Sequence, residues 1–152
     1  FHYIDPENNL LIGGGIDDIW LNKESGELSV VDYKSTSRKS LNKEISLDDP
    51  WKSAYKRQMD LYVWIMIKRG MPASKRGYIL YVDGDRFSDY EFIVQDAAWM
   101  RMNLTLHKYD VDLCWIPDTL NSIRDTLLSN DCPNHSEECE YGRFLTELGK
   151  IN

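Results

Sequence analysis

The sequence predicts an α/β domain, because segments typical of strands alternate with segments typical of helices. Leu10 to Leu21 and Leu28 to Ser35 are apolar, β-rich runs joined by a polar turn. A helix follows from Asp49-Pro50, with Asp as N-cap and Pro at the first helical position, and ends at Gly70. Arg76 to Val82 again has strand character. At 152 residues, the chain has the length of one ordinary domain.

The remaining segments give weaker signals. Gly13 to Gly15 predict a bulge or a close backbone approach within the first long strand. The apolar second half of the Asp49 helix predicts burial on most sides. The other expected elements are a short strand at Phe1 to Asp5, a strand at Tyr90 to Gln95 after a turn at Asp83-Gly84-Asp85, helices from Asp96 to about Tyr109 and from about Thr119 to Leu128, and a helical turn around Phe144 to Leu148.

Composition indicates a globular protein, with 42% hydrophobic and 12% aromatic residues and no apolar run long enough for a bilayer. The net charge of −7 argues against a uniformly basic nucleic-acid binder. Residues 34–76, however, hold 11 Lys and Arg against 4 Asp and Glu. This basic middle would allow a local phosphate-binding surface, although charge alone favours ordinary solvent-exposed side chains.

Cysteine usage and the first residue bear on the origin of the chain. Three unevenly spaced cysteines do not form a disulfide framework, so we expect a reducing cytoplasm. The chain starts at Phe1 and shows no signal peptide, so we expect a fragment, a processed chain or a trimmed one.

The two apolar segments that end at Leu21 and Ser35 form a predicted hairpin and carry charged residues. A buried charge is unfavourable unless an opposite charge or a bound ion compensates it. Asp32 and Lys34 are two residues apart on one strand and therefore share a face. Asp17 joins them if the connection between the strands holds an even number of residues. A three-residue loop, Glu24-Ser25-Gly26, is also a good local signal and would place Asp17 on the opposite face. We predict that Asp17 and Asp32 share a face.

Two carboxylates in close proximity favour a hard divalent cation. Mg²⁺ or Mn²⁺ binds one or two carboxylates, a backbone carbonyl, and waters or substrate phosphates. The backbone carbonyl of Tyr33 is placed to be that ligand. Lys34 could orient or deprotonate a metal-bound water, or stabilise developing negative charge.

Three segments in order resemble the signature of the RecB-like branch of the PD-(D/E)XK nucleases. They are Gly14-Gly15-Ile16-Asp17, then Asp32-Tyr33-Lys34, then Gln58-Met59-Asp60-Leu61-Tyr62. Each segment alone is a weak signal, but the three together on the expected elements are a strong one. The resemblance covers roughly residues 10 to 95, and the tail less securely. It extends to CRISPR-associated RecB-like exonucleases.

The resemblance implies a restriction-endonuclease-like fold, a mixed central sheet flanked by helices, as a single domain over residues 1–152. It implies that Asp17 and Asp32 bind metal and that Lys34 is catalytic. Gln58 and Tyr62 would shape the site and hold nucleic acid. Further phosphate contacts are expected on the basic strip, from Arg57, Lys56, Lys52, Arg38 and Lys39.

The sequence departs from this family in two places. This chain starts too late to include the helix that usually precedes the first strand and supplies a metal ligand, so we expect that ligand to be absent or replaced by another group. The tail over residues 131–152 carries Cys132, His135 and Cys139, with Gly142 where another cysteine would be expected. A [4Fe–4S] cluster needs four thiolates and only Cys114 remains, so we do not expect an iron–sulfur cluster. Zinc held by these residues is not supported by their spacing.

The resulting hypothesis is Mg²⁺- or Mn²⁺-dependent hydrolysis of single- or double-stranded DNA, with exonuclease-type processing of ends, and no membrane association. One alternative is a non-catalytic DNA-binding or interaction module that retains the fold. Another is a nuclease domain that acts within a larger chain or complex.

Overall fold

The computed structural model describes residues 1–37, 45–85 and 91–149, except for the side chain of Trp51. Within them, the strands are β1 (His2–Asp5), β2 (Leu10–Gly13), β3 (Asp18–Leu21), β4 (Leu28–Thr36), β5 (Arg76–Asp85), β6 (Ile93–Val94), β7 (Ala97–Ala98) and β8 (Arg101–Asp110). The helices are α1 (Ser53–Lys68), α2 (Ile116–Leu128) and α3 (Glu140–Gly149). The chain divides into two compact units, Phe1–Ile116 and Pro117–Asn152. A single nuclease domain over residues 1–152 stays a prediction, and each unit is described by itself.

The first unit contains a four-stranded sheet in the order β3-β4-β5-β8. β4 and β5 are parallel, and the other two pairings are antiparallel. Helix α1 connects the parallel strands and packs on them, so that Met59, Val63 and Met66 join Val30 and Ile79 in the core. The predicted mixed central sheet flanked by helices is confirmed.

The predicted single strand from Leu10 to Leu21 is wrong. β2 pairs with the predicted short strand β1 and ends at Gly13, and β3 begins only at Asp18. The predicted close backbone approach is confirmed at Gly14, whose N–H donates to the Phe1 carbonyl at 3.0 Å. A Cβ added to Gly14 would lie 2.8 Å from Cε1 of Tyr62, so a side chain there has no room. The glycines therefore divide the segment into two strands.

Helical structure begins at Pro50, as predicted, but its first turn, Pro50–Lys52, is 3₁₀ and α1 itself begins only at Ser53, so the predicted capping of the α-helix by Asp49 is wrong. The Asp49 side chain makes no capping hydrogen bond and instead lies 2.8 Å from Nζ of Lys52. The predicted end at Gly70 is confirmed, because this residue has a left-handed φ of 75°. Its N–H donates to the Ile67 carbonyl and the next N–H, of Met71, donates to the Met66 carbonyl, which satisfies two of the last carbonyls of the helix.

The predicted helix from Asp96 to Tyr109 is wrong, since most of this segment forms strand β8. The apolar residues Met102, Leu104 and Leu106 alternate with other side chains, a period of two that suits a strand. β8 pairs with β5 along ten residues, and β5 continues through the predicted turn at 83–85. The predicted strand from Tyr90 to Gln95 is reduced to β6, and Tyr90 lies outside the described residues.

The second unit contains most of α2, and α3. The predicted helix at Thr119 to Leu128 is confirmed and begins three residues earlier, at Ile116. The predicted last turn is part of the longer α3. In the part of the chain that the structure describes, no helix is both long and apolar enough to cross a membrane.

Candidate active site

The register of the β3–β4 hairpin places Asp17 opposite Asp32. Asp18 pairs with Val31 and Leu21 pairs with Leu28, so the connection holds the even number of residues 22–27. Asp17 is therefore at the position opposite Asp32, immediately before β3 begins. Burial raises the pKa of Asp32, and the negative charge of the nearby Asp17 adds to this rise. This agrees with the predicted shared face.

The backbone of Tyr33 is directed toward Asp17. Its N–H donates to Oδ2 of Asp17 at 2.8 Å, a bond that takes the place of strand pairing where β3 has not yet begun. In a strand, the N–H and C=O of one residue point to the same side, so the Tyr33 carbonyl also faces Asp17. This placement supports the predicted backbone ligand. The Tyr33 side chain lies on the other face, where its hydroxyl donates to Asp18 at 2.7 Å.

Asp32 is a buried carboxylate, only 4% exposed. Nζ of Lys34 forms an ion pair of 2.7 Å with its Oδ2, and within the described residues this oxygen has no hydrogen-bond partner. Burial raises the pKa of Asp32 above its usual value, and Asp17 adds to this rise while Lys34 opposes it. The charged form of Asp32 is therefore incompletely compensated by the protein.

Helix α1 lays two of the predicted residues beside Lys34. Nζ of Lys34 donates to Oε1 of Gln58 at 3.1 Å, and Nε2 of Gln58 donates to the Tyr62 hydroxyl at 2.9 Å. Tyr62 in turn lies against Gly14. The structure thus brings all three predicted sequence segments to one place.

Tyr55 also contacts the site and was not among the residues predicted from the sequence. The Nζ atom of Lys34 lies over its ring, 4.9 Å from the centroid. Tyr55 is three residues before Gln58 and seven before Tyr62, a helical spacing that puts all three on one face of α1. This spacing is the feature of the sequence that could have predicted Tyr55 as a residue of the site.

The residues present fit a hard divalent cation. Asp17 and Asp32 offer carboxylate oxygens, Oδ2 of Asp32 has no hydrogen-bond partner in the part of the chain that the structure describes, and the Tyr33 carbonyl faces the same place. Mg²⁺ and Mn²⁺ bind through such incomplete protein sets, with waters and substrate phosphates filling the other positions. In residues 1–37, 45–85 and 91–149, no group of three or more His, Cys, Asp or Glu side chains could hold a metal. At the candidate metal site, the described residues therefore supply two carboxylates, Asp17 and Asp32.

The predicted basic contacts have different outcomes. Arg57 is exposed, and Lys56 forms an ion pair of 3.0 Å with the exposed Asp48. Lys52 is only 3% exposed and pairs with Asp49, so its predicted place on a DNA-facing surface is wrong. The predictions for Arg38 and Lys39 fall outside the described residues.

Within residues 91–149, the cysteines of the tail show no complete ligand set. Sγ of Cys139 accepts a hydrogen bond from the Gly142 N–H at 3.3 Å and lies 3.9 Å from Nδ1 of His135. Cys132 is exposed, and all three cysteines of the chain are free thiols. A side chain at position 142 would overlap His135, so a cysteine there would require the tail to rearrange. The expected absence of an iron–sulfur cluster stays a prediction.

Replacing Gly14 with alanine is expected to lower the free energy of unfolding by about 1–3 kcal/mol, as for other overpacked sites. The new Cβ would lie 2.8 Å from Cε1 and 2.9 Å from the hydroxyl of the buried Tyr62. Gly15→Ala is the matched control, because its Cβ would meet nothing within 4 Å. Chemical denaturation measures both variants, and equal stability of the two would contradict the steric argument.

Replacing Asp32 with asparagine is expected to raise Tm at neutral pH in the absence of divalent metal. A raised pKa means that folding favours protonated Asp32, so this contribution to stability is present at acid pH and is lost as the pH rises through the folded-state pKa. Asparagine avoids that loss. Added Mn²⁺ should then raise Tm of the wild type more than that of the variant. Thermal melts between pH 4 and pH 8 test both statements, and a lower Tm for the variant at neutral pH would refute the first.

Comparison with known proteins gives one match. The model of a family described as the PD-(D/E)XK nuclease superfamily matches residues 2–144, a span that includes every residue of the site. No curated protein matches, and no solved structure matches. The mixed central sheet is consistent with the fold of this family. Members of the family generally use divalent metals such as Mg²⁺. The chain belongs to the PD-(D/E)XK nuclease superfamily, which implies a nuclease-type function.

Proposed function

We propose that the protein is a Mg²⁺- or Mn²⁺-dependent deoxyribonuclease of the RecB-like branch that processes DNA ends as an exonuclease. The observation that carries this proposal is the assembly of Asp17, Asp32 and Lys34 on one face, with Gln58 and Tyr62 of α1 beside them.

Each residue has a proposed role in hydrolysis. The cation would be held by Asp17, Asp32 and the Tyr33 carbonyl. When bound, it lowers the pKa of a coordinated water and offsets negative charge on the phosphate. The Lys34 ammonium would stabilise the negative charge that develops on the phosphate. Gln58 fixes the position of that ammonium through its 3.1 Å hydrogen bond.

The surface around the site supports a nucleic-acid partner, single- or double-stranded. We propose phosphate contacts from Arg57, Lys56, Arg38 and Lys39. Arg57 is exposed, and the Asp48 partner of Lys56 is also exposed, so a DNA phosphate could replace it. Residues 34–76 carry a net positive charge on an otherwise acidic chain. We also propose a cytoplasmic location, which the odd number of cysteines favours.

The two-carboxylate ligand set favours a second candidate function. A site with no third acid within the described residues would suit a nuclease domain that needs a larger chain or complex for full activity. A non-catalytic DNA-binding module is the remaining alternative, and it leaves the Lys34–Gln58–Tyr62 contacts without a role.

The test compares linear DNA with closed circular DNA, each single- and double-stranded, in Mn²⁺, Mg²⁺ or EDTA. We expect metal-dependent degradation of linear DNA, sparing of circles, and no cleavage by Asp32→Ala. The matched control is Asp18→Asn, because Asp18 bonds to Tyr33 and Trp20 side chains away from the site. Cleavage of circles would overturn the exonuclease mode. No cleavage at all, or equal cleavage by Asp32→Ala, would overturn the nuclease proposal.

A further inference from the structure

We propose that Tyr55 is a positioning residue whose ring, together with the Gln58 amide, holds the Lys34 ammonium while Asp32 serves a divalent cation. The proposal rests on the proposed nuclease function and assigns a role to a side chain outside the three sequence segments of the family.

Among the described residues, the Lys34 ammonium has three neighbours: an ion-pair partner, a hydrogen-bond acceptor and a ring face. Oδ2 of Asp32 lies at 2.7 Å and Oε1 of Gln58 at 3.1 Å. The third neighbour is the face of the Tyr55 ring, with its centroid at 4.9 Å, within the range of cation–π attraction. The Lys34 side chain is 20% exposed, and partial removal from water strengthens such an attraction.

These three neighbours respond differently to a bound cation. A carboxylate that ligates a divalent cation attracts an ammonium less strongly, because its negative charge is shared. The Gln58 oxygen and the Tyr55 ring are neutral, so their hold on Lys34 does not depend on the charge of Asp32. Without the ring, the Gln58 oxygen would be the one neutral contact, among the described residues, that holds a lysine with four flexible methylenes.

The ring itself is fixed by its surroundings. Tyr55 is half-buried and packs against the core cluster that includes Met59, Tyr62 and Tyr81. It stands near the start of α1, on the same helical face as Gln58. A fixed ring face is what a positioning role requires, since the attraction depends on the cation lying over the face.

The test compares Tyr55→Phe with Tyr55→Leu in DNA cleavage with Mn²⁺. Phenylalanine keeps a ring face, so we expect kcat within about twofold of wild type. Leucine keeps an apolar contact without a ring, and we expect kcat to fall about tenfold with KM and the Mn²⁺ midpoint unchanged.

NMR of lysine side chains gives a second readout that is independent of cleavage. The ring current on the Lys34 ε-methylene should persist in Tyr55→Phe and vanish in Tyr55→Leu, with Lys34→Met assigning the signal.

The outcomes separate the two proposals. A wild-type protein that does not cleave DNA overturns the nuclease function and the positioning role with it. A wild type that cleaves while Tyr55→Leu matches it in kcat overturns the positioning role alone. Equal loss in Tyr55→Phe also overturns it, because the hydroxyl would then be the active group. Should Tyr55→Leu fail to fold in thermal melts, Tyr55→Met takes its place with the same expectations.

Discussion

Replacing Lys34 with methionine is expected to lower the rate of DNA cleavage by about 10³-fold, the size of loss typical when one charge-stabilising donor is removed. Methionine keeps most of the length of the side chain and removes only the ammonium. That ammonium is the group that contacts both Asp32 and Gln58, so no other described side chain occupies its place. Single-turnover cleavage in saturating Mn²⁺ measures the chemical step without a contribution from product release.

The control for this variant is Lys23→Met, which removes the lysine in the turn of the same hairpin. Lys23 is exposed and lies outside the proposed site, so its loss should leave cleavage unchanged. If Lys34→Met kept a third or more of the wild-type rate, about 0.6 kcal/mol of barrier or less, the catalytic role of Lys34 would be wrong.

Replacing Asp60 with alanine is expected to lower the free energy of unfolding by about 3 kcal/mol, because several hydrogen-bond donors lose a buried, charged acceptor. Asp60 is 2% exposed. Its Oδ1 accepts the Asp112 N–H and its Oδ2 accepts the Trp115 indole N–H, each at 3.0 Å. Burial and a hydrogen bond to Asp60 raise the pKa of Tyr109 to about 12. The Asp60 carboxylate on helix α1 thus binds the segment that follows β8 through these hydrogen bonds.

Urea denaturation measures this prediction, with two comparison variants. Asp60→Asn keeps one acceptor oxygen and should lose less stability than alanine. Glu24→Ala removes an exposed acid from a turn and should change stability by less than about 0.5 kcal/mol. A loss below about 1 kcal/mol for Asp60→Ala would show that water replaces the carboxylate and that the segment is not fastened.

The sequence was most informative where one local rule decided the outcome. Asp32 and Lys34 share a face by strand alternation alone, and the left-handed Gly70 ends α1 as its position predicts. The hairpin register needed one further fact, the even length of the connection, and the local turn signal at Glu24-Ser25-Gly26 pointed to the odd one. Pairing along the whole hairpin decided in favour of the even connection.

The sequence was least informative where distant strands compete with local preference. Residues 101–110 follow an N-cap signal at Asp96 and contain good helix formers, yet ten pairings with β5 make them a strand. Lys52 looked like a surface residue because lysines usually are. Its burial follows from the way the 3₁₀ turn packs, with Nζ held by the Ser46 carbonyl and Asp49. Neither contact leaves a pattern in the sequence.

The contacts among Lys34, Gln58 and Tyr62 have a direction. Lysine can only donate, so the Gln58 amide must present its oxygen to Lys34 and its NH₂ to Tyr62. The Tyr62 hydroxyl is therefore an acceptor in this chain and keeps its own proton to donate elsewhere. A charge on one strand thus sets the orientation of a hydroxyl proton on a helix one turn beyond Gln58. Neutralising Lys34 would remove the constraint on the amide, and the tyrosine proton would lose its fixed direction with it.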